Sequence, residues 1–328
     1  MIPVWLWYCF RSGSWWFFTS SNPSLTFGGF EGEGKKEMYD QLPTGTYPQS
    51  IYVSPSLSFK EVEDLINSNH YKYPFAVKPD VGTMGFMFRK IDNADQLKKY
   101  HKKMPSDYII QELVTYPVEV SVFYYRFPDQ TRGTITGFIK KEFLAVKGDG
   151  RSTLWQLIQH YDRVQFRLQE MKSKHEHTLN EIIPEGEIYI LSHALNLSRG
   201  GKLVSLEHEK DDALLKVFDD ISHYTKYFYY GRYDIKCTSI EDLKQGKNFS
   251  ILEYNGSGAE PHHAYGNGNT LWQAQKIFLH HWKILYRISK YNHKHGIQYW
   301  SFDRGRKFLK KARKEYNMLK KIDAETDL

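Results

Sequence analysis

The sequence predicts an α+β protein with two sheet-centred lobes whose strands run mainly antiparallel. Strand-like and helix-like segments alternate along the 328 residues, with no internal repeat and no long low-complexity linker. This length is enough for one large domain or for several subdomains with a proper core. The hydrophobic share of 41% and the charged share of 25% are ordinary values for a globular protein.

The first half of the chain alternates strands with one clear helix. Apolar runs predict strands over residues 73–79, 85–91, 107–114, 117–127 and 131–146. The strand over 117–127 alternates apolar and polar residues, which is typical of a sheet with one buried face. A helix is predicted over 93–104, with Asn93 as its cap.

The second half continues the alternation and then becomes helical. Helices are predicted over 152–176, beginning at Ser152 or Thr153, and over 211–228, where two acids suit the N-terminal dipole. Apolar runs predict strands over 187–196, 231–237 and 249–255. A polar turn joins the last two strands, and the chain from Leu271 onward is predicted to be mostly helical.

The cysteine content indicates the cellular compartment, and the net charge indicates which classes of binding partner are compatible with the chain. Cys9 and Cys237 are too few for a disulfide framework or a thiolate zinc site, which favours a reducing interior and a cytoplasmic location. The net charge of +7 is compatible with anionic partners. Residues 304–321 hold much of the excess, and we interpret them as a solvated helix face, with an interaction tail as the alternative. No basic groove motif accompanies the aromatic residues, so nucleic acid is not an expected partner.

The first 18 residues are unusually aromatic. Arg11 to Ser14 divide them into two apolar runs, each too short for a transmembrane helix, and no signal-peptide pattern is present. Three interpretations stay open: packing against the body of the protein, docking on a partner, and lying at a membrane interface. Packing is favoured. The oligomeric state is left open.

Polar side chains interrupt the apolar strand over 249–255. Glu253 and Asn255 are two residues apart, so they share one face of the strand. A hairpin with the strand over 231–237 brings Asp234 beside them. Three oxygen donors on one face suit Mg²⁺, which commonly takes one or two carboxylates together with water and phosphate. For the Glu253 and Asn255 pair alone, a solvated strand face is the alternative.

Cationic side chains and glycines occur near these acids. Arg232 lies two residues before Asp234, where it can stabilise charge developing on a transferred group or form a salt bridge to a neighbouring acid. Lys78 ends an apolar strand, and Gly82 and Gly85 follow in a loop whose N–H groups can approach phosphate oxygens. A plain glycine turn is the alternative, but it leaves Lys78 unexplained.

Taken together, these motifs resemble the ATP-grasp superfamily, most closely the D-alanine:D-alanine ligase and carboxylate-amine ligase branch. The resemblance covers about residues 35–270. VKPDVGTMG looks like the family's lysine and flexible phosphate loop, which implies nucleotide contacts for Lys78, Gly82, Thr83 and Gly85. QELVTYPVE looks like the hinge and ribose segment, which implies nucleotide contacts for Gln111, Glu112, Leu113 and Glu119. Glu112 and Glu119, taken singly, also fit exposed strand acids.

The resemblance also implies a metal site and further phosphate contacts. RYDI and LEYNGSG look like the metal-binding strands, which implies Mg²⁺ ligation, by two ions or with Mn²⁺ as an alternative, by Asp234, Glu253 and Asn255. Arg232 is then the transition-state cation. NLSRGG is similar to a loop that approaches the terminal phosphate, which implies roles for Asn196 and Arg199. The first nucleotide lysine is Lys36 or its neighbour Lys35.

The implied function is an ATP- and Mg²⁺-dependent ligase that joins a carboxylate to an amine through an acylphosphate. The implied fold holds the nucleotide between two lobes, residues 35–115 and 116–270, with an aromatic segment (1–34) before them and a helical basic tail (271–328) after them. Only about forty residues precede the lobes, so the family's substrates do not carry over. We expect small-molecule or peptide substrates, with His262 as a candidate contact. A noncatalytic ATP-binding scaffold and a phosphotransferase are the alternatives.

Overall fold

A computed structural model gives the fold of the chain and describes residues 1–82, 85–192, 201–266 and 268–325. The N-terminal part contains helices α1 (Ile2–Ser12) and α2 (Lys35–Tyr39), with 3₁₀ turns at Phe17–Ser20 and Thr26–Gly29 between them. No helix in these described ranges is long and apolar enough to cross a membrane.

The first lobe is a four-stranded antiparallel sheet with two helices. Its strands are β1 (Ser50–Val53), β2 (Phe75–Pro79), β3 (Arg89–Ile91) and β4 (Tyr108–Gln111), in the spatial order β1-β4-β2-β3. Helices α3 (Phe59–Ser68) and α4 (Ala94–Lys103) begin after Ser58 and Asn93, whose side chains accept hydrogen bonds from backbone N–H groups of the first turn. Apolar faces of the two helices and the sheet form one buried cluster.

The second lobe is a five-stranded antiparallel sheet in the order β11-β10-β5-β6-β9. Its strands are β5 (Val118–Tyr125), β6 (Thr134–Glu142), β9 (Lys202–Ser205), β10 (Tyr230–Cys237) and β11 (Phe249–Asn255). Alternate residues such as Val120, Tyr233 and Ile235 pack with Phe218 of helix α7 (Asp212–Thr225) in one buried cluster, together with Leu243 of helix α8 (Ile240–Lys244). The intervening residues therefore point to the opposite face, which carries the polar groups.

A small two-stranded sheet extends from the second lobe. Strand β7 (Leu144–Lys147) pairs with β8 (Ile188–Ser192), and helices α5 (Leu154–Gln159) and α6 (Leu168–Lys174) contribute to the buried cluster beneath it. The chain then ends in three helices: α9 (His263–Gly266), α10 (Leu271–Lys294) and α11 (Phe302–Ala324). The α+β architecture with two sheet-centred lobes is as predicted, and the two-stranded sheet is an addition to it.

Several predicted elements are shorter than expected. Residues 85–88 do not join β3, because Gly85 (φ 71°) and Met87 (φ 56°) adopt left-handed backbone conformations that end the strand pattern. The predicted strand over 131–146 divides after Glu142, since β7 pairs with β8 in a different sheet. The predicted helix over 152–176 is likewise broken, with a 3₁₀ turn between α5 and α6.

The N-terminal segment packs against the second lobe. Phe17, Phe18 and Phe27 are buried in an aromatic cluster with residues of α10. The outer face of α1 leaves residues such as Ile2 and Phe10 exposed. The inner face of the segment therefore packs against the protein, as the favoured interpretation expected. Docking of the outer face on a partner or a membrane stays an open alternative.

The same segment supports the turn that follows β11. Ser257 N donates to Gly28 O at 3.1 Å, and Gly258 N donates to Gly29 O at 3.1 Å. A Cβ atom on Gly29, which has φ 70°, would lie 2.9 Å from Gly256 Cα. Only glycine permits this close approach, so the N-terminal segment fixes the backbone directly after Asn255.

Candidate active site

The candidate site lies on the polar face of the second sheet. Arg232 and Asp234 of β10 are directly opposite Asn255 and Glu253 of β11, and Asp234 is also opposite Ser121 of β5. Directly paired residues of antiparallel strands share a face, as do residues two apart on one strand. The structure therefore brings together Arg232, Asp234, Glu253 and Asn255, as the hairpin predicted.

Asp234 is the centre of a buried hydrogen-bond network. Arg232 Nε and Nη2 donate to Asp234 Oδ1 and Oδ2, both at 3.1 Å. Ser121 Oγ donates to Asp234 Oδ1 at 2.5 Å, and Lys141 Nζ lies 3.3 Å from the same oxygen. Burial by itself raises the pKa of this carboxyl, but Arg232 and Lys141 outweigh burial and hold the pKa far below its ordinary value. Asp234 is therefore a fixed anion.

Two cations are fixed by the same network. Arg232 Nη1 also donates to Glu260 O at 2.9 Å, so the guanidinium is held in one orientation. Lys141 Nζ donates to Glu119 Oε1 at 3.2 Å. Burial lowers the pKa of both cations, but the carboxylates outweigh it and the pKa of each is raised. The salt-bridge alternative for Arg232 is therefore realised, and Arg232 remains a cation on the polar face.

In the part of the chain that the structure describes, the carboxylate of Glu253 does not take part in the hydrogen-bond network around Asp234, so it can bind a ligand. Among the described residues, no hydrogen bond or ion pair joins its carboxylate to a partner. Asn255 Nδ2 lies 3.5 Å from Asp234 Oδ2, so its amide is at the rim of the network. No group of three or more His, Cys, Asp or Glu residues that could hold a metal ion occurs in the described ranges. Two carboxylates and one amide fit a hard cation that completes its shell with water and phosphate.

Two lysines, Lys35 and Lys78, lie next to strand β11 near Glu253. Lys78 at the end of β2 donates from Nζ to Tyr39 Oη at 3.1 Å and to Leu252 O at 3.4 Å, which places it at β11 beside Glu253. Lys35 Nζ donates to Gly82 O at 3.0 Å and to Asp80 O at 3.3 Å. The first lobe and α2 thus present two cations to the strand that carries Glu253.

Burial changes the titration of both lysines. Burial lowers the pKa of Lys78 to about 8, although the Glu253 charge acts in the opposite direction. Burial also lowers the pKa of Lys35, and the positive charge of Lys78 adds to this effect while Glu253 opposes it. Two desolvated cations beside one carboxylate form a site suited to an anionic ligand.

The structure separates the two adjacent lysines of α2. Lys36 Nζ pairs with Asp40 at 2.5 Å on the surface and lies 4.8 Å from the Tyr52 ring centre. Lys35, and not Lys36, lies beside Lys78. The sequence leaves both residues open, because a helix of five residues without clear periodicity does not decide between them.

The predicted hinge and ribose residues extend from the end of β4 in the first lobe into β5 of the second lobe. Gln111 ends β4 and is buried, with Nε2 donating to Ser50 Oγ at 2.8 Å. Glu112 is exposed, and its backbone N–H donates to Gln49 O at 3.0 Å. Leu113 is half-buried. Glu119 belongs instead to the Asp234 network through Lys141. Thr83, Asn196 and Arg199, also predicted as site residues, lie outside the described residues.

Sequence reasoning missed two buried groups next to the site. Glu33 has a buried Oε2 atom with no hydrogen-bond partner among the residues that the structure describes. Burial raises the pKa of this carboxyl to about 7, with Glu253 adding to the rise and Lys35 opposing it. The sequence predicts Lys141 only as part of a strand, and no local pattern indicates that this lysine is buried. His262, a predicted substrate contact, has a buried Nδ1 to which no described residue forms a hydrogen bond, and burial together with Arg232 lowers its pKa to about 3.

Comparisons with known proteins give matches only among solved structures. No family model matches the sequence, and no curated protein sequence matches it. The D-alanine-D-alanine ligase from Coxiella burnetii is 8% identical, with a TM-score of 0.46 over 83% of this chain and 61% of that one. D-cycloserine synthetase DcsG is 12% identical, with a TM-score of 0.43 over 74% of this chain and 68% of that one.

A bifunctional glutathione synthetase from Pasteurella multocida is also similar. It is 13% identical, with a TM-score of 0.44 over 73% of this chain, which spans only 34% of that protein's length. The matched structures thus include the ligase branch that the sequence motifs resemble.

Proposed function

We propose that this protein is an ATP-grasp ligase that uses ATP and Mg²⁺ to join a carboxylate to an amine. The observation that carries the proposal is the meeting of Lys35 and Lys78 with the polar face of β10 and β11 at Glu253. Buried cations facing an available carboxylate suit a nucleotide triphosphate bound with a metal ion. The nucleotide is proposed to lie between the first lobe (35–115) and the second lobe (116–270).

Each residue of the site has a proposed role. Lys35 and Lys78 offset the negative charge of the phosphates, and Lys35 also donates to the carbonyl oxygen of Gly82. Arg232, fixed by Asp234 and by Glu260 O, stabilises charge on the transferred phosphoryl group without having to reorient during the reaction. Gln111 and Glu112 at the end of β4 lie where the base and ribose would be recognised.

Glu253, Asn255 and Asp234 are the residues that would hold Mg²⁺. When bound, the ion would neutralise phosphate charge as a Lewis acid. Glu253 supplies a carboxylate that the described residues leave without a partner, whereas Asp234 shares its oxygens with Arg232 and Lys141. Asp234 therefore both orients Arg232 and contributes negative charge to the metal site.

The proposed reaction transfers the terminal phosphoryl group of ATP to a carboxylate oxygen, giving ADP and an acylphosphate. The amine nitrogen then attacks the carbonyl carbon, expels inorganic phosphate and loses a proton. The residues position the reactants and balance charge more than they form covalent bonds. Small-molecule or peptide substrates are proposed, with His262 near the acceptor because it lies close to Arg232 and Asp234.

Product release tests this function. Purified protein with Mg²⁺ and ATP would be incubated with a panel of amino acids and short peptides, and ADP and phosphate would be measured separately. The ligase is expected to release both products with at least one acceptor pair. Glu253→Gln should abolish the release while keeping the circular dichroism spectrum, because the change removes charge but little volume. Glu176→Gln, an exposed acid in a turn, is the matched control and should keep full activity.

Other outcomes identify the alternative functions. ADP release without inorganic phosphate would indicate a phosphotransferase, because its phosphorylated product is stable. ATP binding with no release across the whole panel would favour a noncatalytic nucleotide-binding scaffold. Full activity of Glu253→Gln would remove this residue from the site.

A further inference from the structure

Helix α11 packs against both the N-terminal segment and the first lobe. At its start, Phe302 O accepts a hydrogen bond from Trp16 Nε1 at 3.1 Å. In its middle, a Cβ atom on Gly32 would lie 2.9 Å from Ala312 Cβ, so the N-terminal segment approaches the helix closely. At its end, Leu319 is only 2% exposed, within the buried cluster of the first lobe. The helix is therefore anchored on the N-terminal segment and inserted into the first lobe.

The last turns of α11 contact residues 86–89, which follow the glycines of the predicted phosphate loop. Asp323 Oδ1 accepts hydrogen bonds from Met87 N at 2.8 Å and from Arg89 Nη1 at 2.9 Å. The Asp323 and Arg89 side chains are only 17% and 21% exposed, so this charge-assisted pair is partly shielded from water. The rings of Tyr316 and Phe86 meet edge to face, with centroids 5.6 Å apart.

The backbone at this position needs such support. Met87 has φ 56°, which is unfavourable for a residue with a side chain unless the surroundings hold it. Its N–H group is held by Asp323, and its side chain is fully buried in the cluster that contains Leu319. The conformation of residues 85–89 thus depends on a helix more than 200 positions later in the sequence.

The start of the loop is held from the nucleotide side. Lys35 Nζ donates to Gly82 O, and a Cβ atom on Gly82 would lie 3.7 Å from Leu319 Cδ1. Gly82 therefore contacts a lysine of the candidate site and lies close to Leu319 of α11, while Met87 and Arg89 contact α11 directly. We propose that Asp323 is a positioning residue that holds residues 85–89, which follow the first part of the predicted phosphate loop, in the conformation needed for binding the phosphates of the nucleotide. This inference rests on the proposed function.

Hydrogen exchange tests the ordering without any nucleotide. In Asp323→Ala the Met87 amide should exchange at least about tenfold faster than in the wild type, as expected when a charge-assisted hydrogen bond is lost. Asp303→Ala is the matched control, because Asp303 lies on the same helix with a side chain that is 76% exposed. Unchanged protection of Met87 in Asp323→Ala would overturn the proposal.

Nucleotide kinetics test the consequence for function. Asp323→Ala should raise KM for ATP about tenfold with little change in kcat, since it disorders a binding loop and not a reacting group. Asp323→Asn keeps an acceptor for Met87 N and should restore most of the affinity. A loosened Met87 amide with an unchanged KM would overturn the positioning role. Absence of ATP binding in the wild type would reject the proposed function instead, and the exchange experiment would still decide whether Asp323 orders the loop.

Discussion

Asn22 is the residue whose removal tests most directly how the N-terminal segment is joined to the second lobe. It is fully buried and makes four hydrogen bonds to the backbone. Its Nδ2 donates to Gly28 O at 3.1 Å and to Tyr230 O at 2.9 Å. Its Oδ1 accepts from Tyr229 N at 2.9 Å and from Tyr230 N at 3.0 Å. Asn22→Ala removes all four bonds together.

The expected loss of stability follows from these contacts. A buried polar group left without a partner costs roughly 1 to 3 kcal/mol, and part of that cost is recovered when water or a neighbour replaces the side chain. We therefore expect Asn22→Ala to lower the free energy of unfolding by about 3 to 5 kcal/mol. Asn22→Asp keeps the acceptor oxygen but places a second oxygen against two carbonyl groups, so it should also be strongly destabilising.

Urea denaturation followed by tryptophan fluorescence measures this loss. Asn69→Ala is the control, because Asn69 is exposed and its amide makes one hydrogen bond to backbone, to Leu65 O at 2.8 Å, at the end of a helix. The control should lose less than about 1 kcal/mol. A loss below about 1 kcal/mol in Asn22→Ala would refute the conclusion that the N-terminal segment is an integral part of the second lobe.

Two further predictions concern pH. Because burial lowers the pKa of Lys78 to about 8, ATP affinity should fall as the pH rises through 8, when the amine loses its charge, by up to about tenfold per pH unit. Lys78→Arg should weaken this dependence between pH 7 and 9, measured by ATP titration, while Lys35, whose pKa is also lowered, retains part of it. An equal decline in both proteins would contradict the assignment. For Glu33, burial raises the pKa of the folded state to about 7 from an ordinary 4.5, so its contribution to stability is full below pH 4.5 and is lost as the pH rises through 7. Glu33→Gln should therefore be more stable than the wild type at pH 8, by at most roughly 3 kcal/mol in the free energy of unfolding measured with urea. If the free energy of unfolding changed with pH equally in both proteins, the buried Glu33 carboxyl would not be the cause of the pH dependence.

The sequence was most informative where structure is local. Strand β11 has the predicted bounds, and its hairpin with β10 places Glu253 opposite Asp234, as the period-two pattern requires. Asn93 caps α4 through Gln96 N, as predicted from its position before an amphipathic segment. In each case a few neighbouring residues determine the geometry.

Contacts between distant segments were not predictable from the sequence. Lys141 and Ser121 reach Asp234 from strands more than 90 residues earlier in the chain, and no local pattern gives their register. Lys35 and Lys36 have the same chemistry, so only the packing of α2 against the first lobe separates them. The insertion of Leu319 into the first lobe likewise depends on tertiary packing, because its helix reads as a solvated basic segment.

We propose above that the polar face of β10 and β11, together with Lys35 and Lys78, binds ATP with Mg²⁺. Calorimetric titration of ATP with and without Mg²⁺, on the wild type and on Glu253→Gln, tests it most directly. We predict that wild-type affinity falls at least about tenfold when Mg²⁺ is removed, and that Glu253→Gln loses most of this dependence. Equal ATP affinity with and without Mg²⁺ in the wild type, or the same Mg²⁺ dependence in both proteins, would contradict the account.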